Sequence, residues 1–209
     1  KQNEKIHVVE NYALDSYIRH DKKNDKMILT VGRFEKWHKG VETFFQIAEN
    51  VLSIDGNMQF QWVGGNADNP EYFKSYEKKC EFIKGIDVDD FKLNLEEYYK
   101  DCYIYLQPSN YENCPYSLID ALRAGKPCVV SDVGGMPELV EHGINGYLCP
   151  RGDASSFVEA INAIIHDREL YDRMSQASRD IFEQKFSKKV WEQKMDSIFE
   201  TMRIINYDE

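Results

Sequence analysis

Two stretches of this 209-residue chain hold side chains that could do chemistry together. In VGRFEKWHKG, Gly32-Arg33 is followed six residues later by Lys39-Gly40. A guanidinium is a planar fork of donors and an ammonium a mobile point charge, a pair suited to adjoining phosphate oxygens. In PSNYENCPYSLIDALRAGKP, Glu112 and Asp120 stand eight residues apart. Ionised carboxylates only accept hydrogen bonds, so each can take those of a hydroxyl pair on a sugar. Together these residues describe a site for a nucleotide-sugar. Each half has a plainer reading: Arg33 and Lys39 as surface cations on a turn, Glu112 as a helix cap with Asp120 solvated.

The elements around these residues bring them to one place. MILTVG reads as an apolar strand ending at Gly32, where a missing side chain lets backbone approach a ligand. Beyond Gly40, the spacing of Val41, Phe44, Phe45, Ala48 and Leu52 predicts a helix with one apolar face. MQFQWVG is the next strand, ending at Gly64-Gly65. From Pro70 to Lys100 the sequence predicts a helix, an irregular linker and a second helix. Three strand-to-helix units follow: YIYLQPS into PYSLIDALRAG, PCVVSD into MPELVEHG, and GYLCP into DASSFVEAINAIIHD. Pro115 suits a helix start and Gly125 a helix end. Gly134-Gly135 fits a tight turn or a ligand's approach equally well. Helices are expected over 170–182 and 188–205, the last with an apolar stripe of Trp191, Met195, Ile198, Met202 and Ile205 read as core packing. Ile6–Val9 reads as a short strand before a polar linker.

Alternating strands and helices imply an α/β fold, a Rossmann-like parallel sheet with helices on both faces. Such sheets bind ligands at the carboxyl ends of their strands, where Gly32-Arg33, Gly64-Gly65, Pro108-Ser109 with Glu112, and Asp132 through Gly135 all fall. Residues 113–117 turn into a helix there, so free N–H groups and the positive end of its dipole face the sheet edge.

Composition narrows the function. An apolar fraction of 42% is enough for a packed core, and a net charge of −10 argues against a nucleic-acid or anionic-membrane surface. Five cysteines and five histidines are scattered without metal spacing, which suggests free thiols in a reducing compartment and neither a disulfide framework nor a zinc site. His38 and His142 read as surface residues. No apolar run reaches membrane-spanning length. KQNEK has neither an initiator Met nor a secretory leader, and is expected to mark a boundary inside a longer protein.

In order and length, the motifs resemble the C-terminal half of family 4 glycosyltransferases, which have the two-domain GT-B fold. VGRFEKWHKG resembles the family's Arg/Lys element, PSNYENCPYSLIDALRAGKPCVVSDVGGMPELVEHGINGYLCPRGD its diagnostic block, and IHVVENYAL its interdomain segment. The resemblance implies retaining transfer of a sugar from a nucleoside diphosphate, without a metal or other cofactor. Arg33, Lys39 and Glu112 would be catalytic, the first two on the diphosphate and Glu112 on the donor sugar. Gly32, Cys114, Tyr116 and Ser117 would meet the donor, and Asp120 its ribose. Asp120 replaces the usual Glu, and Tyr12 stands where the interdomain segment usually has Gly. The family's short strand-Gly element near the base is poorly reproduced around residues 81–86.

The implied donor is a UDP-sugar or GDP-sugar, and the acceptor a glycan or lipid reached through an N-terminal domain that this chain lacks. Alone, the chain is expected to bind donor without turning it over. Residues 1–26 are expected to form the interdomain segment and linker, 27–186 the donor domain, and 187–209 a helix packing back or toward the other domain. Polysaccharide, lipopolysaccharide or other glycoconjugate synthesis fits, in the cytoplasm or peripherally on the inner face of the membrane. The alternatives are a non-catalytic nucleotide-sugar-binding module and a GT-B-type epimerase. A nicotinamide dehydrogenase is disfavoured, because no Gly-x-Gly-x-x-Gly follows the first strand.

Overall fold

The computed structural model describes residues 7–15, 26–65, 69–80, 85–90, 92 and 94–205. Six short runs form one parallel sheet: β1 Met27–Val31, β2 Gln59–Val63, β3 Ile86–Asp89, β4 Ile104–Gln107, β5 Cys128–Ser131 and β6 Gly146–Cys149. Their order is β3-β2-β1-β4-β5-β6. Both faces of β4 and β5 are buried throughout, which is why these strands read as continuous apolar runs and not as alternation.

Register sets where the site falls. Met27 opposes Gln59 on one side of β1, and Ile28 opposes Ile104 on the other. The chain winds outward from β1 through β2 and β3, then returns to start again at β4. This is the doubly wound order whose reversal opens a crevice at the carboxyl edge. The crevice lies between β1 and β4, so Gly32-Arg33 and Pro108-Ser109 flank it.

Helices cover both faces. On one lie α1 Val41–Ile54, α2 Pro70–Cys80 and α6 Ala154–His166, packed on Ile28, Trp62, Ile104 and Val129. On the other lie α3 Glu96–Asp101, α4 Tyr116–Arg123 and α5 Met136–Leu139, against Leu29, Tyr105 and Val130. The helix α7 Arg168–Ile181 contributes to both layers. The predicted apolar face of α1 is present, with Phe44 and Ala48 buried. Asp153 caps α6 by accepting from the N–H groups of Ser155 and Ser156.

Four expectations need correction. His7–Val9 is not a strand, and Ile6 lies outside the described residues. The linker expected between α2 and α3 contains β3, whose side chains Asp87 and Asp89 hide the apolar alternation of Ile86 and Val88. Of residues 81–86, around which the strand-Gly element near the base is expected, 81–84 lie outside the described residues. Only Met136–Leu139 of MPELVEHG is helical. The fourth is the stripe on α8 Lys188–Ile205, which is not core: Trp191, Met195 and Ile198 are half-buried and Met202 is exposed. The side chain of Ile205 lies outside those described. A π-helical turn, Phe182–Phe186, buries its two Phe side chains and carries the chain off the sheet before α8 begins. There α8 meets residues 10–13, with Tyr12 on Trp191 at 4.8 Å, Glu10 ion-paired with Lys194, and the Ala13 N–H donating to the Phe186 carbonyl.

Gly40 joins the fold to the crevice. Its φ is 69°, and an added Cβ would stand 1.9 Å from the Pro108 carbonyl oxygen. Gly40→Ala is therefore expected to cost about 2–4 kcal/mol, combining left-handed strain with a backbone clash. Gly56→Ala, whose nearest contact would be 3.8 Å, should stay within about 0.5 kcal/mol. Urea denaturation of the two variants checks the difference.

Candidate functional site

The loop after β1 is held by its aromatic residue. Phe34 is fully buried, edge-on to Trp62 at 5.2 Å and Phe73 at 5.3 Å. The Trp62 indole N–H donates to the Gly32 carbonyl at 2.8 Å, and the Phe34 N–H to that of Gly65 at 3.1 Å. With Phe34 anchored inward, Arg33 is thrown outward with a side chain 72% exposed, its Nη2 3.7 Å from Glu35 Oε2. Lys39 turns back under the loop. Its stem lies over Gly32, where an added Cβ would meet Lys39 at an ordinary 3.5 Å. Here Gly32 faces a side chain of its own loop, and the expected direct approach of a ligand to its backbone is not what this geometry demands.

Lys39 ends at Glu112. Nζ is 2.5 Å from Glu112 Oε1, and the same oxygen accepts from Gln107 Nε2 at 2.9 Å and Ser109 Oγ at 2.9 Å. The Tyr105 hydroxyl donates to Gln107 Oε1 at 3.2 Å, which fixes the amide's direction. Glu112 is 9% exposed, so its charge is tolerable only because Oε1 is so fully met. Among the described residues, its other oxygen accepts no hydrogen bond. The helix-cap reading of Glu112 fails, since the N-cap of α4 is Pro115 and no side chain caps the helix.

The two loops are locked together elsewhere. The Asn110 N–H donates to the His38 carbonyl at 2.7 Å, and its Nδ2 to that of Trp37 at 2.9 Å. Gly134 and Gly135 press on the backbone of the Glu112 loop. A Cβ on either would lie 1.9 Å from the carbonyl oxygen of Glu112 or Asn113. Loop packing alone requires glycine at both positions. Ser109 is among the strand-end residues the sequence points to, but Gln107 is not. The signal for Gln107 is a polar residue, in Gln-Pro-Ser, at the end of an otherwise apolar strand with a carboxylate five residues on.

An open cleft of 260 Å³ results, lined by Arg33, His38, Lys39, Tyr111, Glu112, Asn113, Cys114 and Pro115. The lining ends at Pro115, and just beyond it the first turn of α4 has spare donors. Leu118 and Ile119 return their N–H groups to the Pro115 carbonyl, whereas those of Tyr116 and Ser117 meet no acceptor among the described residues. Cys114 is half-buried, burial raises its thiol's pKa, and its carbonyl accepts from Asn11 Nδ2 at 3.0 Å. Tyr116 is exposed, and the Ser117 carbonyl accepts from the Tyr99 hydroxyl at 2.9 Å. Asp120 is not brought into this cleft. It pairs with Arg123 Nη2 at 3.2 Å on its own helix, and burial raises its carboxyl's pKa while Arg123 opposes the shift. His142 lies apart, accepting from the Leu148 N–H at 3.2 Å. Among the described residues, no helix is long and apolar enough to cross a membrane.

Known proteins share this arrangement at the level of fold. A variant of S. aureus TarM, crystallised with UDP and sugar ligands, superposes with a TM-score of 0.82 at 17% identity, over 92% of this chain and 39% of that one. Anabaena HepE in complex with UDP gives 0.75 at 22% identity, over 85% and 49%. In sequence, N-acetyl-alpha-D-glucosaminyl L-malate synthase of Bacillus anthracis is 26% identical over 187 residues, 86% of this chain and 47% of that protein. A Campylobacter jejuni N-acetylgalactosaminyltransferase acting on a diphospho-undecaprenol substrate is 29% identical over 136 residues, 64% of this chain and 34% of that protein. The chain thus spans half or less of these relatives. The model of the family Glycosyl transferases group 1 matches residues 17–181, across the sheet, both loops and α4. With the sheet order, the crevice and that match in agreement, the chain belongs to the group 1 glycosyl transferases.

Proposed function

We propose that the chain is the donor-binding half of a retaining, metal-independent glycosyltransferase. The observation that carries this reading is the Lys39–Glu112 pair, which puts an ammonium and a carboxylate with a spare oxygen into one cleft at the strand-order reversal, beside Arg33. A nucleoside diphosphate sugar fits that polarity. Its diphosphate lies against Arg33, Lys39 and the free N–H groups of Tyr116 and Ser117, with Cys114 alongside. Its hexose offers hydroxyls to the unengaged oxygen of Glu112. As the bond from the sugar to the β-phosphate breaks, charge builds on the leaving diphosphate, and fixed cations stabilise it without reorganisation. In the same proposal they do the work of a divalent ion.

The acceptor, a glycan or lipid-linked saccharide, and the remaining catalytic groups belong in this reading to a second α/β domain. Residues 1–26 lead from that domain, and α8 lies along or toward it. Polysaccharide or lipopolysaccharide synthesis in the cytoplasm, with any membrane contact made by the other domain, is the corresponding role. Asp120 remains the proposed ribose ligand. To reach a ribose it exchanges its Arg123 partner, and it has one methylene less with which to do so.

Three outcomes test the proposal. Calorimetry should show the folded chain binding UDP or GDP, and Lys39→Ala should weaken that binding by roughly 1–3 kcal/mol, the scale of a charged hydrogen bond. No heat with either nucleotide would reject the reading. In denaturation, Lys39→Ala alone should cost about 1–3 kcal/mol by stranding the Glu112 charge. Glu112→Gln added to it should recover part of that loss, and an additive result would show the pair is not coupled. Asp120→Glu should tighten nucleoside diphosphate binding by about 1 kcal/mol, with no gain for a free diphosphate lacking ribose. Equal effects on both ligands would remove Asp120 from the ribose.

A further inference from the structure

The cleft contains a histidine that the proposed chemistry has not used. His38 lines it beside Arg33 and Lys39, and its Nδ1 lies 2.9 Å from Glu35 Oε1. Glu35 is more enclosed than its partner: its side chain is 30% exposed against 57% for His38, and its Oε2 is buried without a hydrogen bond. The ring's backbone is fixed as well, since the His38 carbonyl accepts from Asn110. A carboxylate on Nδ1 sets both the orientation and the tautomer of an imidazole, with the proton on Nδ1 and Nε2 left for whatever occupies the cleft. Among the described residues, Nε2 has no partner.

We propose that His38 is a third ligand of the donor diphosphate, one that takes up a proton as the donor binds and then donates from Nε2 to a phosphate oxygen. The proposal rests on the donor-binding reading above. The charges facing the ring are explicit. Arg33 and Lys39 share the cleft and oppose a further positive charge, whereas Glu35 in contact and Glu112 across the cleft favour it; Tyr111 lines the rim and Lys36 lies on the same loop. Without ligand these influences pull in opposite directions. A diphosphate diester adds two negative charges and neutralises both cations, so the balance shifts toward imidazolium. The proton comes from solvent, and no covalent bond is made or broken. Glu35 acts through the ring and is a positioning residue.

UDP-glucose and GDP-mannose suit the test, because their diphosphates have no group that titrates between pH 5.5 and 8. Binding to the 209-residue chain is measured by calorimetry at several pH values, in buffers of different ionisation enthalpy, which reports protons taken up. Affinity for whichever donor binds should fall about tenfold from pH 5.5 to 8, with uptake of a fraction of a proton near neutrality. His38→Gln should bind with little dependence on pH and no uptake. Glu35→Gln keeps an acceptor for Nδ1 but loses the charge, and should show the uptake shifted to lower pH. Circular dichroism establishes that each variant is folded. Wild-type binding without a pH slope, or a slope and uptake that persist in His38→Gln, would overturn the role of His38 and leave the donor site standing. Failure of the wild-type chain to bind either donor at any pH would overturn both.

Discussion

One ion pair spans the seam of this fold. Lys39 follows β1 and Glu112 follows β4, the two strands between which the winding reverses, and their charges meet at 2.5 Å. Burying a carboxylate to 9% exposure costs several kcal/mol unless it is fully met, and here Lys39, Gln107 and Ser109 all meet one oxygen. That concentration leaves the second oxygen uncommitted. Loading a single oxygen holds the side chain in place and leaves the other able to accept a hydrogen bond.

The rest of the architecture can be read as what holds that pair in place. Phe34 anchors the first loop from below, and the Trp62 indole ties its start to β2. Gly40 lets this loop close over Pro108, and Gly134-Gly135 lets the loop after β5 press on Glu112 from the other side. Tyr105 orients Gln107 from within β4. These supports come from β1, β2, β4 and β5. Lys39 and Glu112 are thus fixed by the sheet and not by the loops' own propensities.

Legibility in the sequence followed the strength of local signals. Fully buried parallel strands and amphipathic helices were plain, because a run such as CVVS or a spacing such as that of α1 has one physical solution. β3 was hidden because Asp87 and Asp89 alternate with its apolar residues in an acidic stretch that reads as linker. The stripe on α8 misled for a different reason. Periodicity shows that a helix has an apolar face but not what covers it, and here the cover is an irregular segment around Tyr12. Within the site, the types and spacing of Arg33, Lys39 and Glu112 could be read directly. The roles of Gln107 and Ser109 as donors to Glu112 could not, since they depend on where a carboxylate three to five residues away turns back. Asp120 shows the converse limit: eight residues of spacing put it on α4 but did not decide whether it faces the cleft or Arg123.

An acidic chain proposed to bind a dianion looks self-defeating, and distance decides the matter. The net charge of −10 is spread over a surface tens of ångströms across, and at physiological salt charges beyond about 8 Å are largely screened. Within the cleft the separations are those of contact, where a unit pair is worth roughly 4 kcal/mol at an effective dielectric of 20. Local geometry therefore outweighs global charge. In the proposed reading Arg33 and Lys39 set affinity for the anion at short range, while the surrounding acidity repels polyanions such as nucleic acid that would need many contacts at once. The same argument explains why Lys39 is held so firmly on Glu112. A cation that drifted a few ångströms out of the cleft would exchange a short-range attraction for the screened repulsion of the rest of the domain.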